Sequence, residues 1–163
     1  MAIPEKLTKF LKENKVKYEP INHRTVYTAY DKAQTLKVPE KIIGKTLVLK
    51  IDGKISLILI PANKNLDKEK FKKFVKAKKI EFASERLIKN KLKGVKVGAI
   101  PPFGNFWGLP TFIDRLLIKN PKIIISGGDY NWSIKISSAG LKKLIPDLVI
   151  GSFGKSPAFN MGT

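Results

Sequence analysis

The segment that most constrains this chain is a pair of β-rich runs, residues 46–51 and 54–60, separated only by Asp52-Gly53. Asp-Gly between two such runs signals a two-residue type I′ hairpin, in which both central residues take positive φ. The second run holds Leu57-Ile58-Leu59-Ile60, which is apolar on both faces. A strand of that kind belongs in the middle of a sheet covered on both sides, so the chain must supply helices for each face.

Helical periodicity and capping residues supply them. Leu7, Phe10 and Leu11 behind Pro4 predict a short amphipathic helix over 4–15. Thr28 followed by Asp31 opens a second over 28–36, stopped by Pro39. Asp67 begins a third that carries Phe71, Phe74 and Val75 inward, and Ser84 caps a fourth over 84–90. A last helix is expected over 138–144, and short strands over 18–21, 95–100, 111–114, 123–126 and 132–137. The irregular alternation predicts an α+β or mixed α/β domain built on one sheet. At 163 residues the chain is the size of one domain with one ordinary core. Residues 1–145 form that domain, and 146–163, with Gly, Ser, Pro and two Phe in no period, read as a C-terminal tail.

Composition narrows the chemistry. With no cysteine and only His23, thiolate catalysis, disulfides, iron-sulfur clusters and multi-histidine metal sites are excluded, so no metal or cofactor is expected. The longest apolar run, residues 55–61 with one Ser, falls far short of the ~20 residues a membrane helix needs. The first residues lack the apolar stretch of a signal peptide, which points to a cytoplasmic protein without a membrane partner. Net charge is +19, with twenty-nine lysines against the three arginines Arg24, Arg86 and Arg115. Two readings stand: a polyanionic partner held through its phosphate backbone, or lysines that keep the surface hydrated. Residues 64–96 alone carry 13 basic and 4 acidic side chains, so Lys68, Lys72, Lys73, Lys76, Lys89 and Lys93 are the candidates for a nucleic-acid face.

Two Gly-Lys-hydroxyl triplets, Gly44-Lys45-Thr46 and Gly154-Lys155-Ser156, fail as P-loops. The required upstream glycines are Pro39 and Val149, and neither triplet runs into a helix. Three other segments carry more information: Lys45 directly before the hairpin strand, the loop at residues 94–104 with glycines at both ends, and residues 109–114 followed later by Ser126-Gly127-Gly128. Glycine at a strand end lets backbone approach a ligand, and proline pre-sets the loop.

In order and spacing, K-T-L-V from Lys45, G-x-x-V-G-x-I-x-P-x-G from Gly94, L-P-T-x-x-D from Leu109 and S-G-G from Ser126 resemble the YbaK/ProX family of aminoacyl-tRNA deacylases. The domain of that family also occurs inserted in bacterial prolyl-tRNA synthetases as an editing site. The resemblance spans residues 23–144. It implies a mixed, barrel-like β-sheet with helices outside, and hydrolysis of the ester joining a small wrong amino acid (Ala, Cys, Ser or Thr) to the 3′ adenosine of a tRNA, most directly a proline tRNA. It makes Lys45 the catalytic residue and places Gly98, Ala99, Ile100, Pro101, Gly104, Ser126, Gly127 and Gly128 around the aminoacyl group. It implies the tRNA acceptor end as partner, with a synthetase as a further one, and leaves open a silent tRNA- or synthetase-binding module of the same fold. An activated ester asks for positioning and charge stabilisation more than for a strong base. Asp114 reads either as a pocket carboxylate or as a buried turn cap, and His23 either as a site residue or as a hydrogen-bonded core histidine. Phe103, Phe106 and Trp107 read as adenine-stacking groups or as core. The chain departs from the family after Gly128, where some members have a basic residue and then glycine and this one has Asp129-Tyr130-Asn131-Trp132.

Overall fold

The computed structural model describes residues 3–157. Its elements are α1 (Glu5–Glu13), β1 (Tyr18–Asn22), α2 (Ala29–Leu36), β2 (Gly44–Ile51), β3 (Lys54–Pro61), β4 (Asn65–Leu66), α3 (Lys68–Val75), β5 (Ile80–Phe82), α4 (Glu85–Lys91), β6 (Thr111–Asp114), α5 (Arg115–Ile118), β7 (Lys122–Ser126), β8 (Trp132–Ser137), α6 (Ser138–Leu144), β9 (Val149–Gly151) and β10 (Gly154–Lys155).

The hairpin turns as its sequence requires, with φ of 48° at Asp52 and 83° at Gly53. The Asp52 carboxylate accepts from the backbone N–H groups of Lys78 and Lys79, at 2.8 Å for the latter, and so ties the turn to the approach of β5. β3 lies inside a five-stranded sheet of order β5-β2-β3-β6-β9, antiparallel to β2 and parallel to β6. Its two faces are covered separately. Ile58 and Ile60 pack with Phe71 of α3 and with Phe153, while Leu57 meets Leu92 and Ile100 beside α4. Helices α3 and α4 therefore flank opposite faces of this sheet.

Instead of one sheet there are two principal ones among the described residues. The second, β1-β8-β7, is antiparallel throughout and meets the first at a single parallel bridge between Ile43 and Ile124. Helix α1 covers it with Leu7 and Leu11, and α6 with Leu141 and Leu144, in one apolar cluster with Ile123, Ile125, Ile134 and Ile136. The seam between the sheets, beside the start of β2 and the end of β7, is where the cavity described below opens.

Two segments differ from their sequence reading. Residues 95–100 form a loop and no strand, because Gly94 and Gly98 sit at φ of 94° and 88° and interrupt any extended run. The C-terminal stretch through residue 157 is built into the fold. β9 pairs in parallel with β6, β10 pairs with β4, and Phe153 is fully buried with ring centroids 4.9 Å from both Phe71 and Phe74. Asp114 explains the docking. Its Oδ1 accepts from Leu116 N at 2.8 Å to cap α5, and its Oδ2 accepts from Phe153 N at 2.8 Å and Gly154 N at 2.6 Å. Residues 158–163 lie outside the described residues.

Candidate active site

A cavity of about 210 Å³ opens at the seam, lined by α2 and the residues before it, the start of β2, the 98–100 loop, Ser126 and Asp129-Tyr130. It brings together Lys45, Gly98, Ala99, Ile100 and Ser126 from the sequence reading. Lys45 stands at the start of β2 opposite Ile60, and its neighbour Gly44 is fixed as glycine by packing: a Cβ there would come within 2.8 Å of Leu59 and 2.9 Å of Leu117. Burial lowers the Lys45 pKa below the usual lysine value, and the negative charge of Glu40 works against that shift.

The glycine motifs build the walls. Gly128 N donates to Ala99 O at 2.9 Å and Gly128 O accepts from Lys96 N at 2.9 Å, while Gly127 N donates to Trp132 O at 3.1 Å. The N–H groups of both glycines are thus spent inside the protein. Gly127 and Gly128 hold the turn between Ser126 and Asp129 and lash it to the 94–104 loop. The departure from the family pattern forms part of the same wall: Tyr130 Oη donates to Val97 O at 2.5 Å, and a Cβ on Gly98 would lie 3.6 Å from the Tyr130 ring.

Pro101, Gly104, Gly127, Gly128, Asp114 and His23 do not line the cavity. Gly104 N donates to Thr111 Oγ1 at 3.0 Å, and a side chain at 104 would collide with Thr111 and the Leu109 carbonyl, so this glycine shapes the base of the loop. Asp114 is the α5 cap and C-terminal clamp described above. His23 sits behind Ser126. Its Nδ1 meets the Arg24 carbonyl at 2.7 Å and so carries the proton, which leaves Nε2 to accept from Ser133 Oγ at 2.9 Å; Ser133 is paired with Ser126 across β7 and β8. Burial, with the nearby positive charges of Lys32 and Arg24, outweighs the Arg24 carbonyl and lowers the His23 pKa from 6.5.

The aromatic groups divide differently from expectation. Phe103 is fully buried and, with Phe106, packs on Phe10, and the Trp107 indole donates to Lys93 O at 3.1 Å; all three are structural. Tyr27, which lines the cavity yet is 69% exposed, packs on Tyr130 with ring centroids 4.9 Å apart and the rings tilted by 53°. The basic candidates divide too. Lys68, Lys72, Lys73 and Lys76 belong to α3 and its C-cap, Lys89 and Lys93 to the α4 side, and none of the six lines the cavity.

Among the lining residues that sequence reasoning missed, Tyr27 and Thr46 included, Lys32 stands out. It is only 7% exposed, and its Nζ donates to Ser126 Oγ at 3.2 Å. A signal was present: Ala29, Lys32, Ala33 and Leu36 stand at i, i+3, i+4 and i+7, which puts this lysine on the apolar face of its helix. Burial lowers its pKa from 10.5 to about 8.

Comparison with known proteins agrees with this architecture. The model of the aminoacyl-tRNA editing domain matches residues 23–144. Proline--tRNA ligase of Fervidobacterium nodosum is 32% identical over 118 residues, which are 70% of this chain and 20% of the ligase, so the chain spans about a fifth of that relative. Among solved structures, a hypothetical protein superposes with a TM-score of 0.83 at 22% identity, over 93% of this chain and 100% of the other. A structure described as a candidate trans-editing enzyme for prolyl tRNA synthetase gives 0.81 at 20% identity, over 96% and 99%. The fold is that of these structures, and the family model places the site-bearing residues within an editing domain. The chain belongs to the aminoacyl-tRNA editing domain family.

Proposed function

We propose that this chain acts in trans, in the cytoplasm, as a deacylase that removes a small misattached amino acid from the acceptor end of a tRNA, with proline tRNA as the leading candidate. The observation that carries the reading is the convergence of Lys45, the 98–100 loop and Ser126 on one small cavity in a chain of the editing family. The proline assignment is supported by the similarity to a proline--tRNA ligase and to a structure described as a candidate trans-editing enzyme for prolyl tRNA synthetase.

In this reading the half-buried Lys45 ammonium faces the scissile carbonyl or the terminal phosphate and stabilises the oxyanion that forms when water attacks. The carbonyl-to-ribose C–O bond then breaks, and the ribose hydroxyl leaves with a proton. Asp129, the one carboxylate among the described residues that line the cavity, complements the substrate's α-ammonium. The cavity, about 210 Å³, lies below the roughly 300–1,000 Å³ of drug-sized ligand sites, so it suits a short aminoacyl group and little more. That is a second sieve set by size. Tyr27, exposed and braced on Tyr130, offers the terminal adenine a stacking surface.

The test is a panel of proline tRNAs charged with Ala, Cys, Ser or Thr. Release of at least one of them well above buffer is expected, and no release for any, under conditions where a known editing enzyme works, would sink the proposal.

A further inference from the structure

Lys32 has no role in the chemistry described so far, and its surroundings are unusual. It is 93% buried, yet among the described residues it has no carboxylate partner; its polar contact is the neutral Ser126 hydroxyl. An ammonium carries three donors, so two of them have no acceptor among the described residues. Thr46 also lines the cavity, with its own Oγ1 enclosed by the protein, so the polar valence left open toward the cavity is that of Lys32. Buried polar groups are satisfied as a rule, and a buried cation without its counter-charge costs more than an unpaired amide. A buried ammonium of this kind, at the wall of a cavity, leaves polar valence for something that enters from outside. The Asp129 carboxylate at the same cavity suits the α-ammonium common to all aminoacyl esters, which leaves Lys32 for the part that varies.

We propose that Lys32 is the specificity-determining residue of this site, selecting aminoacyl groups whose short side chain presents an oxygen acceptor, as serine and threonine do, over apolar groups of the same size. The inference rests on the deacylase reading above and deepens it. Size alone separates two side chains that differ by a methylene only weakly, whereas an ammonium left without an acceptor discriminates strongly against an apolar isostere. Burial, which lowers the Lys32 pKa to about 8, leaves the ammonium as the dominant form at neutral pH.

The experiment uses isosteric pairs on proline tRNA: serine against 2-aminobutyrate, and threonine against valine, with alanine as reference. For the wild-type chain the kcat/KM ratio within each pair is expected to favour the hydroxyl by roughly 10–100-fold. Lys32→Met, similar in length and without a charge, should bring the ratio toward one, and Lys32→Gln, which keeps an amide donor, should fall between. Folding of each variant is checked by its urea midpoint. Wild-type ratios near one, or a Lys32→Met ratio equal to the wild-type ratio, overturn the inference. If alanine is released but the pairs are not distinguished, only this inference falls. If no aminoacyl-tRNA is released at all, the deacylase reading falls and takes this one with it.

Discussion

Lys32 also gives a sharp thermodynamic prediction, because the chain keeps a cation where an apolar side chain would fit. Its pKa when folded, about 8, lies below the ordinary 10.5, so the unfolded chain holds the proton more tightly and protonation favours unfolding. The penalty is complete below pH 8, shrinks as the pH rises from 8 to 10.5, and is gone above that. At 1.36 kcal/mol for each tenfold difference in proton affinity, the gap from 10.5 to about 8 is worth roughly 3 kcal/mol at pH 7. Lys32→Met removes this penalty and also removes the hydrogen bond to Ser126, worth about 1 kcal/mol. The net expectation is a gain of about 2 kcal/mol at pH 7, which in urea at roughly 2 kcal/mol/M moves the midpoint up by about 1 M. Urea unfolding of both proteins at pH 7, 8.5 and 10.5 is the assay. The advantage of the variant should fade across that range, since the other lysines titrate alike in both proteins. A variant less stable than wild type at pH 7, or a difference that does not change with pH, would refute the reasoning that this ammonium is buried and uncompensated.

Other outcomes follow from single contacts. NMR titration of His23 should give a pKa below 6.5 in the wild type and a higher one in Lys32→Met, since burial and then the Lys32 charge hold it down; an unchanged value would separate the two residues. Phe153→Ala should cost about 3–5 kcal/mol in urea unfolding, as expected for a buried core aromatic, and a loss below about 1 kcal/mol would mean that the C-terminal stretch is not docked. Tyr27→Ala should weaken tRNA engagement by roughly 1–3 kcal/mol, seen as a higher KM with the fold intact; an unchanged KM would remove the stacking surface.

Local rules were readable where the cause is local. Asp52-Gly53 forces its turn, and Thr28, Asp67 and Ser84 each accept from the backbone N–H three residues on, so those helices begin where the capping residues stand. The two-faced burial of residues 57–60 was readable too, because only a central strand tolerates that run. What escaped depends on distant partners. Residues 95–100 look like a strand until Gly94 and Gly98 take positive φ and the loop is tied to Gly128. Phe153 and its neighbours show no period because a carboxylate some forty residues earlier, Asp114, holds them. The site divides along the same line. Lys45, Gly98 and Ser126 came from the resemblance that their motifs carry, whereas Lys32 was hidden because a lysine on an apolar helix face reads as an interruption of the pattern and not as a residue of the cavity.

The central claim is that this cavity hydrolyses an aminoacyl ester through Lys45. Single-turnover release from proline tRNA charged with the fastest of Ala, Cys, Ser and Thr, by wild type and by Lys45→Ala, tests it most directly. The expected result is rapid release by the wild type and a loss of roughly 100-fold or more in the variant, the size of losing one oxyanion-stabilising group, with an unchanged urea midpoint. Equal rates in the two proteins, or no release by the wild type above buffer for any of the four, would contradict it.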